Sequence, residues 1–181
     1  MIVMRNEEIE ALANNLIKKL NINKLPIPVE VIPKHLNIEL QYESFDGQID
    51  GLLYRDEDSE QYVIGVNSKH LPNRRRFTIA HEIGHFLLHH GESIYVDGGS
   101  FQVNFRDSES SKGANIEEIE ANLFAAALLM PEELVKETVM KRLKNGIDFL
   151  HESEELDKIA NDFKVSVQAL CIRLGRLGYT F

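Results

Sequence analysis

Apolar side chains recur at helical spacing near the start of the chain, at Ile9, Leu12, Ala13, Leu16, Ile17 and Leu20, so the pattern predicts an amphipathic helix over Arg5–Leu20. Pro26, Pro28 and Pro33 punctuate the next stretch as a rigid connection, with room for a short helix over Val29–His35. Ile38–Tyr42, Gln48–Tyr54 and Tyr62–Asn67 read as strands, the first two split by Asp46-Gly47, and the pattern predicts a small, mainly antiparallel three-stranded sheet. Periodicity returns in a helix capped by Asn73 and running to about His90. It fades over Gly91–Gly113, read as a long, partly mobile loop with room for one short strand at Ser100–Phe105. Helices are then expected over Asn115–Met130, with Glu118 at the capping-box position, from Pro131 to about Lys144, over Glu154–Asp162 and over Ser166–Gly175. The fold class is α+β, with helices dominating the second half.

Composition narrows the function classes. The chain has 181 residues, 43% hydrophobic and 27% charged, the balance of a globular domain. A net charge of −9 disfavours generic binding to nucleic acid or an anionic membrane. The one cysteine, Cys171, excludes an internal disulfide and fits a reducing compartment. No apolar run is long enough to span a bilayer, and the N-terminus lacks a signal-peptide core. The expectation is a cytoplasmic protein, with residues 1–152 as the main domain and 153–181 as a helix pair packed on it.

The candidate chemistry lies at His81-Glu82-Ile83-Gly84-His85. Side chains four apart on a helix stand one above the other, so His81 and His85 can offer nitrogens to one metal. Glu82, one position round, is not placed as a ligand but can act as general base towards a water. Phe77, Ile79, Ala80, Ile83 and Phe86 mark the helix as buried, where two histidines and a carboxylate need partners. A longer pattern with a third histidine would need glycine at position 88 and histidine at position 91, where the chain has Leu88 and Gly91. His89 lies about 12 Å from His81 along a straight helix, too far to share the ion, and suits the helix end instead. Glu120 is the expected third ligand. It falls at the centre of the stripe made by Ile116, Leu123, Phe124 and Ala127, with Glu117 and Glu118 turned to the edge and back.

The block Arg76–His89, followed by Glu120-Ala121-Asn122 and the run to Pro131, resembles the ImmA/IrrE family of metallopeptidases. The resemblance implies a zincin-like fold, zinc held by His81, His85 and Glu120, and water activated by Glu82. It also implies an intracellular, often mobile-element-encoded protein that cleaves helix-turn-helix repressors. Larger stress-response members carry a further C-terminal sensor-like domain, for which a chain ending at Phe181 has no room, so the likeness is to the short type. Two histidines and a glutamate also accept Mn2+ or another divalent ion.

Three features compete with this reading or stand beside it. The last two helices resemble a helix-turn-helix, with Ser166 as cap and Gln168, Arg173 and Arg176 as groove contacts. The chain's acidity favours simple packing on the core. A non-catalytic metal-binding regulator that binds a repressor or DNA through these helices is the alternative function. Arg74-Arg75-Arg76 reads as a solvated basic turn in preference to a bridge to a nearby carboxylate or a contact with acidic substrate. Tyr62–Val66 fits either an interior strand or a sheet edge that takes an extended substrate.

Overall fold

The computed structural model describes residues 4–45, 49–56, 58–89, 94–98, 112–144 and 153–179. Helix α1 spans Asn6–Lys19 and buries Ile9, Ala13, Leu16 and Ile17, as their spacing requires. A single 3-10 turn at Val29–Val31 leads into the short α2, Ile32–His35. Strands β1 (Ile38–Glu43), β2 (Ile49–Arg55), β3 (Tyr62–Asn67) and β4 (Ile94–Gly98) form one sheet in the order β1-β3-β2-β4.

The α+β class and a mainly antiparallel sheet stand as expected, but the sheet is larger than the three strands expected. It has four strands, and β1 runs parallel to β3, while β2 is antiparallel to both β3 and β4. Tyr62–Val66 is therefore interior, and buried Val63, Ile64 and Val66 explain its near-continuous apolar run. A register shift between β2 and β4 falls at Ile49/Gly51. The expected strand at Ser100–Phe105 lies outside the described residues; the fourth strand precedes it.

Helix α3, Pro72–Leu88, packs across β2 and β3 on one side and against α4, Lys112–Leu129, on the other. Leu71, not Asn73, is its N-cap, with Pro72 at the first helical position. The Asn73 amide instead donates to the Val165 carbonyl at 3.0 Å, tying α3 to the C-terminal helices. Helix α1 covers another side of α4. Helices α5 (Glu132–Lys144), α6 (Ser153–Phe163) and α7 (Val167–Arg176) complete the chain. Ser166 caps α7 by accepting from the Ala169 amide at 3.1 Å.

Ile159, Phe163, Leu170 and Leu174 join the same core as α1, α3 and α4. Arg173, 2% exposed, donates through Nε to the Met130 carbonyl at 3.0 Å and pairs with Glu10 of α1. It is thus an anchor between α7, α1 and the end of α4, and is not placed to read a DNA groove. Cys171 is half-buried. No helix among the described residues is long and apolar enough to cross a membrane.

Candidate metal centre

The four-residue spacing on α3 brings His81 and His85 together, with Nε2 atoms 2.9 Å apart and rings crossed at 77°. Both are buried. His81 Nδ1 lies 3.1 Å from Asn122 Oδ1. An amide oxygen only accepts, so the His81 proton sits on Nδ1 and the Nε2 lone pair faces His85. Burial pulls the His85 imidazole below its ordinary pKa, and its hydrogen bond with Glu118, acting the other way, does not reverse this. Neutral imidazole is the form that binds a metal.

The carboxylate that meets this pair is Glu118. Its Oε2 lies 3.3 Å from His81 Nε2 and its Oε1 3.1 Å from His85 Nε2. Burial acts to raise the Glu118 carboxyl, but its bonds and attraction to the two histidines outweigh that and hold it well below the usual carboxylate range. One donor atom from each of the three residues lies within 4.8 Å of the others. Ligands about 2.0–2.1 Å from a tetrahedral zinc are separated by ~3.3 Å, close to the observed spacings. The two-nitrogen, one-oxygen donor set therefore fits a divalent ion with one corner left over.

Glu120, the ligand expected from the sequence, turns elsewhere. Its Oε1 accepts from the Met4 amide at 2.6 Å, and its Oε2 lies 3.7 Å from His89 Nε2. The reason is the packing of α4, which is covered by α3 on one side and by α1 on another. Its apolar stripe does not point to α3 alone: Phe124 lies against Gly84, while Glu120 is turned to the Met4 amide. What faces α3 includes Glu118, Ala121 and Asn122, at i, i+3 and i+4, together with Phe124. Glu118 is accordingly neither a capping-box residue nor on the back of the helix.

Gly84 fixes that face. A Cβ there would stand 3.1 Å from both Ala121 Cα and Ala121 O, and 3.2 Å from Phe124 Cδ1. The bare glycine lets the helices approach closely enough for Glu118 to reach the imidazoles. Small residues three or four apart from a polar one, opposite a helical glycine, were the available signal for Glu118 and Asn122.

Glu82 is fully buried. It lies towards β2, where a Cβ on Gly51 would come within 2.3 Å of Thr78 Cγ2 and 3.2 Å of Glu82 Oε1. Gly51 is thus the second glycine the site depends on, since a side chain there would displace Thr78 and crowd the carboxylate. His89 ends α3 as its C-cap residue, with its ring 5.5 Å from that of His85.

The basic run is not a solvated turn. Arg76, 9% exposed, donates to Glu30 at 2.7 Å and to the Ile27 carbonyl at 2.6 Å. Arg74 reaches Asp50 at 2.7 Å, and Arg75 lies over the Tyr42 ring. The Arg74 and Arg75 contacts hold the start of α3 against the sheet, and those of Arg76 hold it against the 3-10 turn.

Residues 33–175 match the Peptidase_M78 family, described as the IrrE N-terminal-like domain. The chain belongs to this family. It is 37% identical over 95 residues to the radiation response metalloprotease IrrE of Deinococcus deserti, covering 52% of this chain and 30% of that one. It is 31% identical over 93 residues to the metallopeptidase ImmA of Bacillus subtilis, covering 51% and 48%. In both cases it spans less than half the length of the relative. A solved Mycobacterium tuberculosis transcriptional regulator shares the fold with a TM-score of 0.59 at 15% identity, over 93% of this chain and 46% of that one. The two named relatives are a metalloprotease and a metallopeptidase, and the described residues of this chain offer a candidate donor set of His81, His85 and Glu118.

Proposed function

We propose that this chain is a zinc-dependent endopeptidase of the cytoplasm whose protein substrate is a helix-turn-helix repressor, so that cleavage relieves repression. The observation that carries the reading is the convergence of two imidazole nitrogens and the half-buried Glu118 carboxylate, with a fully buried carboxylate, Glu82, next to His81 on α3. The names of the relatives, a metalloprotease and a metallopeptidase, support the reaction class. The repressor substrate comes from the family resemblance.

His81 and His85 would hold the ion through Nε2 and Glu118 through a carboxylate oxygen. When bound, zinc supplies a Lewis acid for the scissile carbonyl and brings a water's pKa towards 7. Asn122 keeps the His81 proton on Nδ1, so that Nε2 stays available. Glu82 takes the proton of the attacking water and passes it to the leaving amine. Gly51, by lacking a side chain, leaves that carboxylate uncrowded.

The test is to incubate the zinc-loaded chain with a candidate helix-turn-helix repressor, sought among the neighbouring genes as the family resemblance implies. Zinc-dependent fragments are expected, and Glu82→Gln should retain the ion while cleaving roughly 10²- to 10⁴-fold more slowly. Cleavage at the parent rate by Glu82→Gln would remove Glu82 from the mechanism. An intact repressor after prolonged incubation with zinc-loaded parent would remove this substrate.

A further inference from the structure

Contacts between α3 and α4 run in opposite sequence order: His81 meets Asn122, Gly84 meets Ala121, and His89 meets Glu117. The helices are therefore antiparallel here, and Glu118 lies between the close approach at Ala121 and the contact at Glu117. The His81–Asn122 bond and the Gly84–Ala121 approach hold the helices on one side of Glu118 and leave the other side free to pivot. A tie on that other side fixes the angle between them.

His89 supplies that tie. Its Nε2 is 3.2 Å from the Glu117 carbonyl oxygen. A carbonyl only accepts, so His89 Nε2 carries the proton and donates. Glu120 Oε2, 3.7 Å from the same nitrogen, favours that tautomer. The His89 side chain is 7% exposed, so the bond is sheltered from water. By helical rise, His89 is about 7.5 Å beyond Gly84 on α3, and Glu117 about 6 Å before Ala121 on α4. The residue next to the tied carbonyl is Glu118.

We propose that His89 is a positioning residue for the third metal ligand: by donating to the Glu117 carbonyl it pins the turn of α4 that carries Glu118 over the His81–His85 pair. The inference rests on the reading of His81, His85 and Glu118 as ligands. It makes His89 part of the machinery without touching the ion.

The test measures zinc affinity of the full chain by competition with a chromophoric chelator, for the parent, Glu118→Ala, His89→Leu and His89→Gln. Leucine fills the space without a donor; glutamine restores a donor. His89→Leu should bind zinc roughly 10- to 100-fold more weakly, the usual scale for a group that orients a ligand, and His89→Gln should recover most of the loss. With cobalt as the probe, the visible absorption of the saturated His89→Leu chain should differ from the parent's, because Glu118 is no longer held in place. A merely structural role would lower the melting temperature of the metal-free chain and leave zinc affinity and the cobalt spectrum unchanged. Parent-like affinity in His89→Leu, alongside a large loss in Glu118→Ala, overturns the proposal and leaves the ligand set standing. A parent-like Glu118→Ala overturns both.

Discussion

Asn122 Oδ1 accepts the Nδ1 proton of His81 at 3.1 Å and so fixes which nitrogen of that imidazole is available to a metal. Asn122→Leu removes the acceptor at similar bulk. Zinc affinity is expected to fall about 10- to 100-fold, read by chelator competition, with the fold retained by circular dichroism. An unchanged dissociation constant would show that His81 needs no such partner.

Gly84 and Ala121 share the closest approach between α3 and α4. In Gly84→Ala the added methyl meets the Ala121 backbone at 3.1 Å, which cannot swing aside as a flexible side chain would. Overpacking of this kind costs about 1–3 kcal/mol. Both the melting temperature of the metal-free chain and the extra stabilisation on adding zinc should drop, because Glu118 is carried away with α4. A variant as stable and as responsive to zinc as the parent would show that α4 has slack at this point.

Glu118 and Glu120 are separable by substitution. Glu118→Ala should lose zinc on dialysis, since it removes one of three donors. Glu120→Ala should keep the ion but lose stability of roughly 1–3 kcal/mol, because the Met4 amide loses its acceptor. Metal analysis by plasma spectrometry and thermal melts distinguish the two. The reverse assignment of losses would restore Glu120 as the ligand.

Arg173 and Glu10 couple the last helix to the first. Glu10→Ala strands a guanidinium that is 2% exposed and should cost about 3–5 kcal/mol. Arg173→Met, which removes the charge and keeps an apolar stem, should cost less than Glu10→Ala. Urea titrations of the two variants give the comparison, and equal losses would mean the charge is not what matters.

The parts of the fold set by local spacing were legible in the sequence. Helices α1, α3 and α5, strands β1, β2 and β3 and the Ser166 cap follow from periodicity and capping chemistry, whereas β4 does not, and the His81–His85 pairing follows from one helical turn. Relationships between elements were less legible. Periodicity shows that a position is buried but not against what, so on α4 the stripe centre fell on Glu120, which faces α1, while Glu118 faces the imidazoles. The parallel β1–β3 pairing is likewise invisible, because alternation within a strand carries no information about its neighbour. The helix start at Leu71 is not legible, because Asn73 looks like a cap but its amide donates at long range to the Val165 carbonyl.

Helix α4 is shared property, presenting one carboxylate to α3 and another to the Met4 amide, two residues ahead of α1. The HExxH segment is therefore not a portable cassette. Grafting 72–89 onto a foreign scaffold would transfer two imidazoles and a base, but the third donor arrives only with a partner helix that is itself clamped from behind, and the smallest transplantable unit is the three-helix stack of α1, α3 and α4.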